Sequence, residues 1–272
     1  MVIKMNEFSL KSVENALSDD AKKFFDIDYR HTLTSTNTIL KAEAQNGKKA
    51  GSVLIASCQT NGRGRLGREF VSPCNNGLYM SVILKPEVCA QKVLLITTSC
   101  AVMVSRAIKK LCQKTPLIKW VNDLYLDGKK ICGILAEGTI NAQGGSFDSV
   151  VLGIGVNLLP PAQSGELSDI AGGIFEKTED IPQGFINLLC AEILNELALY
   201  FTSPDIFENG LIDEYRKLSF MLKKSIYIIS PTEKTKAEAL DIADNGGMIV
   251  RLEDGSKKII TSNEISLRIN ND

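Results

Sequence analysis

The chain has one tryptophan, one histidine and no internal repeat in its 272 residues. Lysine plus arginine total 31 against 32 for aspartate plus glutamate, so the bulk electrostatic footprint of a nucleic-acid binder is missing. His31 stands alone and no CxxC pair occurs, which leaves no Cys/His metal set. The cysteines, at 58, 74, 89, 100, 112, 132 and 190, are odd in number and scattered. Free thiols in a reducing compartment are the plain reading. The uncharged, largely apolar run at residues 93–105 is too short to span a bilayer. Lys4 and Glu7 interrupt the first ten residues, so no secretory leader is expected there. These absences together point to a cytoplasmic protein with no membrane partner.

What is present is an ordinary globular composition, with 44% hydrophobic and 23% charged residues. A chain of this length buries roughly 70–75% of its unfolded surface and needs no staples to fold. A short helical lead-in is expected over 8–26. Residues 52–58 and 77–84 are continuous apolar runs, as in strands covered on both faces. Leu94, Thr97, Ala101, Val104, Ile108 and Leu111 repeat at helical spacing and mark a core-facing stripe. Short strands follow near 117–120 and 124–126. Asp127-Gly128 then signals a hairpin into 131–135. Residues 149–158 form a further apolar strand interrupted by Gly153 and Gly155, where a ligand or another backbone approaches closely. Helices are expected near 182–202 and 205–219. Beyond them, five short strands with tight turns predict a small β-barrel. The boundary falls near 219, dividing the chain into 1–218 (1–28 being the lead-in) and 219–272.

Four segments carry chemistry. Gly62-Arg63-Gly64-Arg65-Leu66-Gly67-Arg68 interleaves planar cationic forks with residues that allow close backbone approach. By composition alone it is equally an exposed basic loop. Lying between two buried strands, it is better placed as an active-site lid. Thr34-Ser35-Thr36-Asn37-Thr38 is a helix N-cap signal, and a cap can face a ligand as well. Lys119-Trp120-Val121-Asn122-Asp123 gathers a cation, an amide and a carboxylate, although Asn-Asp also favours a plain turn. By strand alternation Lys130 and Cys132 share one face, with Ile131 and Gly133 on the other. A lysine opening an apolar strand must reach water or an anion. Cys132 beside it invites a nucleophile reading, but a small buried thiol is commonly inert. His31 has nothing local to position it and reads as structural.

With these residues in view the chain resembles the biotin–protein ligases (biotin–[acetyl-CoA-carboxylase] ligases), in the form without an N-terminal DNA-binding domain. The likeness runs from about Tyr29 to Arg268, in the family's order. It includes Ser35-Thr36-Asn37, Gln59 ahead of the arginine loop, Ser72-Pro73, Gly77-Leu78-Tyr79 and Lys119-Trp120-x-Asn122-Asp123. Further on come Lys130-x-x-Gly133-Ile134-Leu135, Gly153-x-Gly155-x-Asn157 and Glu264-Ile265-Ser266-Leu267-Arg268. The chain departs from the family in having Val121 for its usual Pro and Phe70 for its frequent Trp. Val121 is expected to relax the turn before Asn122, and Phe70 to keep an aromatic without the indole N–H.

The resemblance implies an α+β fold: a catalytic domain like that of class II aminoacyl-tRNA synthetases, with a mixed, largely antiparallel sheet, and an SH3-like barrel after it. It implies an ATP-dependent ligase that forms biotinyl-5′-AMP and transfers biotin to a lysine of a biotin carboxyl carrier protein of a biotin-dependent carboxylase. Ser35, Thr36, Asn37 and Gln59 would hold the ureido head of biotin. Arg63, Gly64 and Arg65 would lie along biotin and the mixed anhydride, with Lys130 by the carboxylate and α-phosphate. Arg65 and Lys130 would be the catalytic pair. Arg68, Asn122, Asp123 and Asn157 would serve ATP and the adenylate, and Asp123 its Mg²⁺. The loop is expected to be mobile without ligand and to order over the adenylate. A monomer or homodimer is implied. Lipoate–protein ligase or octanoyltransferase activity on the same fold is the alternative, kept alive by Cys132. A biotin-sensing repressor fits less well, because only 34 residues precede Ser35 and they are not basic.

Overall fold

The computed structural model describes residues 7–84, 93–140, 147–161, 170–203, 211–230, 233–261 and 266–269. Cys89 and Glu264-Ile265 lie outside them. The lead-in is two short helices, α1 (Leu10–Ala16) and α2 (Asp19–Phe24), capped by Ser9 and Ser18. A seven-stranded sheet follows, in the order β1-β2-β3-β7-β6-β5-β4. Its strands are β1 (Asp26–Leu33), β2 (Ser52–Gln59), β3 (Gly77–Leu84) and β4 (Leu117–Lys119), then β5 (Asp123–Leu126), β6 (Lys129–Ile140) and β7 (Phe147–Asn157). Only β1 and β2 pair in parallel, so the sheet is mixed and largely antiparallel as expected.

Strands β2 and β3 are buried almost throughout because helices cover both faces. On one face lie α4 (Val93–Cys112) and α5 (Phe185–Thr202), backed by the lead-in. Helix α4 presents the stripe read from the sequence, with Leu94, Thr97, Ala101, Val104 and Ile108 all buried. Helix α5 is apolar and long enough by composition to cross a bilayer, but here it packs on α4, α1 and α2. Asn187 and Asn195 on α5 clasp the lead-in, accepting from the backbone N–H groups of Ser9 and Ser18 at 2.8 Å each.

On the other face, among the described residues, lies the short helix α3 (Thr36–Gln45), which packs Leu40 over Leu54, Ile83 and Val151. A ten-residue helix cannot cover a seven-stranded sheet. The open remainder of that face is where a cleft forms.

Helix α6 (Leu211–Leu218) leads into a second, five-stranded antiparallel sheet. Its strands are β8 (Ser225–Ile229), β9 (Lys234–Ile242), β10 (Met248–Leu252), β11 (Lys257–Ile260) and β12 (Ser266–Ile269), ordered β11-β10-β9-β8-β12. Among the contacts that tie this sheet to the first part of the chain are two sets of hydrogen bonds. Trp120 Nε1 donates to the carbonyl of Gly246 at 3.0 Å, and Arg216 on α6 donates twice to the carbonyl of Ile242.

Strand β1 is missing from the sequence expectations. Its polar, half-exposed pattern at the sheet edge gives no apolar run to read. His31 lies on it, exposed, 2.9 Å from Thr32 Oγ1, and is not among the residues lining the cleft.

Candidate functional site

The uncovered sheet face carries a cavity of about 980 Å³, roofed by the 62–68 loop. Ser35, Thr36, Asn37, Gln59, Arg63, Gly64, Arg65, Arg68, Asn122, Asp123 and Lys130 all line it. Segments separated by nearly a hundred residues therefore converge. The floor is made by glycines. Gly133 on β6 and Gly155 on β7 are register partners, and the Phe70 ring lies against both. A side chain at Gly155 would meet that ring at 2.5 Å, so glycine is what seats it. Phe70 stands edge-on to Tyr79, with Lys130 Nζ 6.0 Å from its centroid.

One end of the cleft is neutral and densely hydrogen-bonded. Ser35 caps α3 as expected, accepting from the N–H of Thr38. Gln59 Oε1 accepts from Thr36 N at 2.8 Å and Thr36 Oγ1 at 3.1 Å, while its Nε2 donates to Ser72 Oγ at 2.8 Å. Asn37 is buried, its amide spanning Leu135 O, Glu137 Oε2 and Ser81 Oγ. Ser81 and Glu137 were not singled out from the sequence. Ser81 looks like an ordinary member of an apolar strand, and Glu137 lies just past the 131–135 run.

The other end is cationic. Arg65 Nη1 donates to Asn122 Oδ1 at 2.9 Å, and Asn122 Nδ2 donates to Ile134 O at 2.9 Å. Burial lowers the Arg65 guanidinium from its usual value, and the Asp123 carboxylate opposes that shift. Lys130 Nζ lies 2.7 Å from Asp123 Oδ1. Desolvation pushes the Tyr125 phenol up to about 12 and raises Tyr79 and Tyr215 further, so all three stay neutral.

Several expectations need correction. Lys130 and Cys132 do not share a face. Tyr125 pairs with Lys130 while Leu124 pairs with Cys132, so a bulge at Ile131 reverses the alternation. Lys130 thus joins Gly133 on the cleft side, and Cys132 is fully buried in the core, where burial pushes its thiol up. It is no nucleophile. Asn157 does not line the cavity; its Nδ2 donates to Gly172 O at 3.1 Å and braces the segment bridged to Lys130. The Trp120–Val121 peptide is cis. For Mg²⁺, Asp123 is already ion-paired with Lys130, and no group of three His, Cys, Asp or Glu side chains meets among the described residues. A lone carboxylate makes no all-protein cage for a resident metal; a Mg²⁺ held through Asp123 would need waters and phosphate oxygens to complete its shell.

The thiol reading is also revised. Cys58 and Cys74 form a disulfide, with Cα atoms 4.4 Å apart across a separation of 16 residues. Cys100, Cys112, Cys132 and Cys190 are free. The bridge staples the two ends of the segment containing Gln59, the arginine loop and Phe70. Reduction, or the Cys58→Ser/Cys74→Ser pair, is expected to lower unfolding free energy by up to about 3 kcal/mol, through the closure entropy of a loop this long. Denaturant melts with and without dithiol measure it, and superimposable curves would contradict the bridge.

Two family models match this chain. The biotin/lipoate A/B protein ligase family covers residues 29–157 and the biotin protein ligase C terminal domain covers 224–268, together well over half of the chain. The chain belongs to the biotin protein ligase family. A bifunctional ligase/repressor of Bacillus subtilis is 29% identical over 244 residues, covering 86% of this chain and 72% of that protein. A biotin–[acetyl-CoA-carboxylase] ligase of Mycobacterium tuberculosis is 28% identical over 234 residues, covering 84% and 83%. Among solved structures, a biotin protein ligase from Aquifex aeolicus in complex with biotin and ATP superimposes with a TM-score of 0.71 at 26% identity. That match covers 90% of this chain and 99% of the other.

Proposed function

We propose that this ligase activates biotin with ATP as biotinyl-5′-AMP and transfers the biotinyl group to a lysine of a biotin carboxyl carrier domain. The observation that carries the proposal is one cleft with two chemically opposite ends. A neutral, preorganised end at Ser35, Thr36 and Gln59 suits the ureido ring. A cationic end at Arg65, Lys130 and Asn122 suits a carboxylate meeting a phosphate. Phe70 on its glycine floor lies between them and suits the aliphatic tail.

A carboxylate is a poor acyl donor, so it must be activated. In the first step a biotin carboxylate oxygen attacks the α-phosphorus of ATP, and pyrophosphate leaves with the electron pair of the broken P–O bond. Both reactants are anions, so the protein's part is to position them and neutralise charge with Lys130 and Arg65. Mg²⁺ enters as the counter-ion of ATP, part of the substrate. In the second step the carrier's lysine amine attacks the acyl carbon, AMP departs with the anhydride oxygen, and the new amide sheds a proton. The loop over the cleft keeps water from the anhydride between the steps. No side-chain nucleophile is required, in keeping with a buried Cys132.

Feeding ATP with biotin, lipoate or octanoate and measuring pyrophosphate tests the substrate class. Release with biotin alone is expected. Equal release with lipoate or octanoate would move the chain to the lipoyl or octanoyl reading, and no biotin-dependent release would overturn the proposal.

A further inference from the structure

Glu137 lies on β6 with its side chain 14% exposed, hydrogen-bonded to Asn37, which lines the cleft. Its Oε2 accepts from Asn37 Nδ2 at 3.1 Å. Its Oε1 lies 3.2 Å from Arg63 Nη1 and 3.4 Å from Lys41 Nζ. One carboxylate therefore joins the first turn of α3, the body of α3 and the arginine loop. The loop's two leading arginines point to different ends. Arg65 reaches Asn122 at the cationic end, whereas Arg63 turns back to Glu137.

We propose that Glu137 is a positioning residue that clasps Arg63 and so holds the loop over the ring end of the substrate. Arg63 acts through this clasp, and Arg65 is the arginine of the pair turned to the reacting groups. Arg63 is 43% exposed, so solvent screens the pair and the clasp is weak enough to open for ligand exchange. Lys41 on the same oxygen leaves the carboxylate compensated when Arg63 swings away. Such a clasp affects how well biotin is held and leaves the chemical step alone, since Glu137 pairs with Arg63 and Lys41 whereas Lys130 pairs with Asp123.

The inference rests on the biotin-activation reading, and a double-mutant cycle on the full chain separates the two. Glu137→Gln keeps an acceptor for Asn37 and removes the charge, while Arg63→Met removes the other partner. In biotin-dependent pyrophosphate exchange each single change is expected to raise KM for biotin about fivefold with kcat within about twofold. The double mutant should be no worse than either single mutant. Raising salt should move the wild-type KM towards that of Glu137→Gln and leave the mutant flat. Arg63→Lys, which keeps the charge, should fall between wild type and Arg63→Met, and it carries the test if Glu137→Gln fails to fold. Additive losses would mean that Arg63 touches the substrate itself and would overturn the clasp, as would a fall in kcat at unchanged KM. A wild type with no biotin-dependent exchange would instead refute the functional reading beneath it.

Discussion

Lys130→Ala is expected to cut biotinyl-adenylate formation by roughly 10²–10³-fold, about 3–4 kcal/mol of transition-state stabilisation, while leaving the fold intact. The bulge at Ile131 is what brings the ammonium to the cleft side of β6, against Asp123 and beside the Phe70 ring. On the proposed reading, Lys130 and Arg65 would meet the charge that develops when a carboxylate approaches a triphosphate there. Removing Lys130 leaves Asp123 near Arg65, whose charge already interacts with it, so no carboxylate is stranded without a cation. The loss should therefore fall on kcat for pyrophosphate release, with melting within a few degrees of wild type. Lys130→Arg should recover only part of it, because a planar fork does not reproduce a compact point charge. Near-normal pyrophosphate release by the alanine variant would refute the assignment.

Gly153→Ala should damage the other end. A Cβ there would sit 2.2 Å from Asn37 Oδ1 and 2.8 Å from its Cγ. Asn37 is 3% exposed and held by Leu135, Glu137 and Ser81, so it cannot swing aside cheaply. Displacing it breaks those contacts, costing about 2–3 kcal/mol of stability from overpacking and lost buried hydrogen bonds. KM for biotin should rise with it, since Asn37 lines the cleft beside Thr36. Combining the change with Asn37→Ala should relieve the clash and restore part of the stability. A double mutant less stable than Gly153→Ala alone would contradict the steric account.

Much of this was legible in residue order. The buried runs at 52–58 and 77–84, the α4 stripe and the Ser35 cap follow from apolar periodicity and capping chemistry. The Asp127-Gly128 turn follows from the positive φ that both residues adopt, 50° and 79°. The glycines of β7 announced close approach, and the structure supplies what approaches: Asn37 at Gly153 and Phe70 at Gly155. What was not legible depends on contacts between distant segments. Strand β1 hides because an edge strand needs no apolar run. The bulge at Ile131 cannot be read from alternation, and it decides the side on which Lys130 lies. The Cys58–Cys74 bridge requires knowing that the chain folds back between β2 and β3. Glu137 gains its meaning only when α3 and the loop are laid over β6.

The central claim is that the cleft joins biotin to a protein lysine through an adenylate. Mass spectrometry of a purified biotin carboxyl carrier domain, after incubation with this enzyme, biotin and MgATP, tests it most directly. The account predicts a single added biotinyl mass on one lysine, absent without ATP and strongly reduced with Lys130→Ala. An unmodified carrier, with the wild-type enzyme folded and both ligands present, would contradict it.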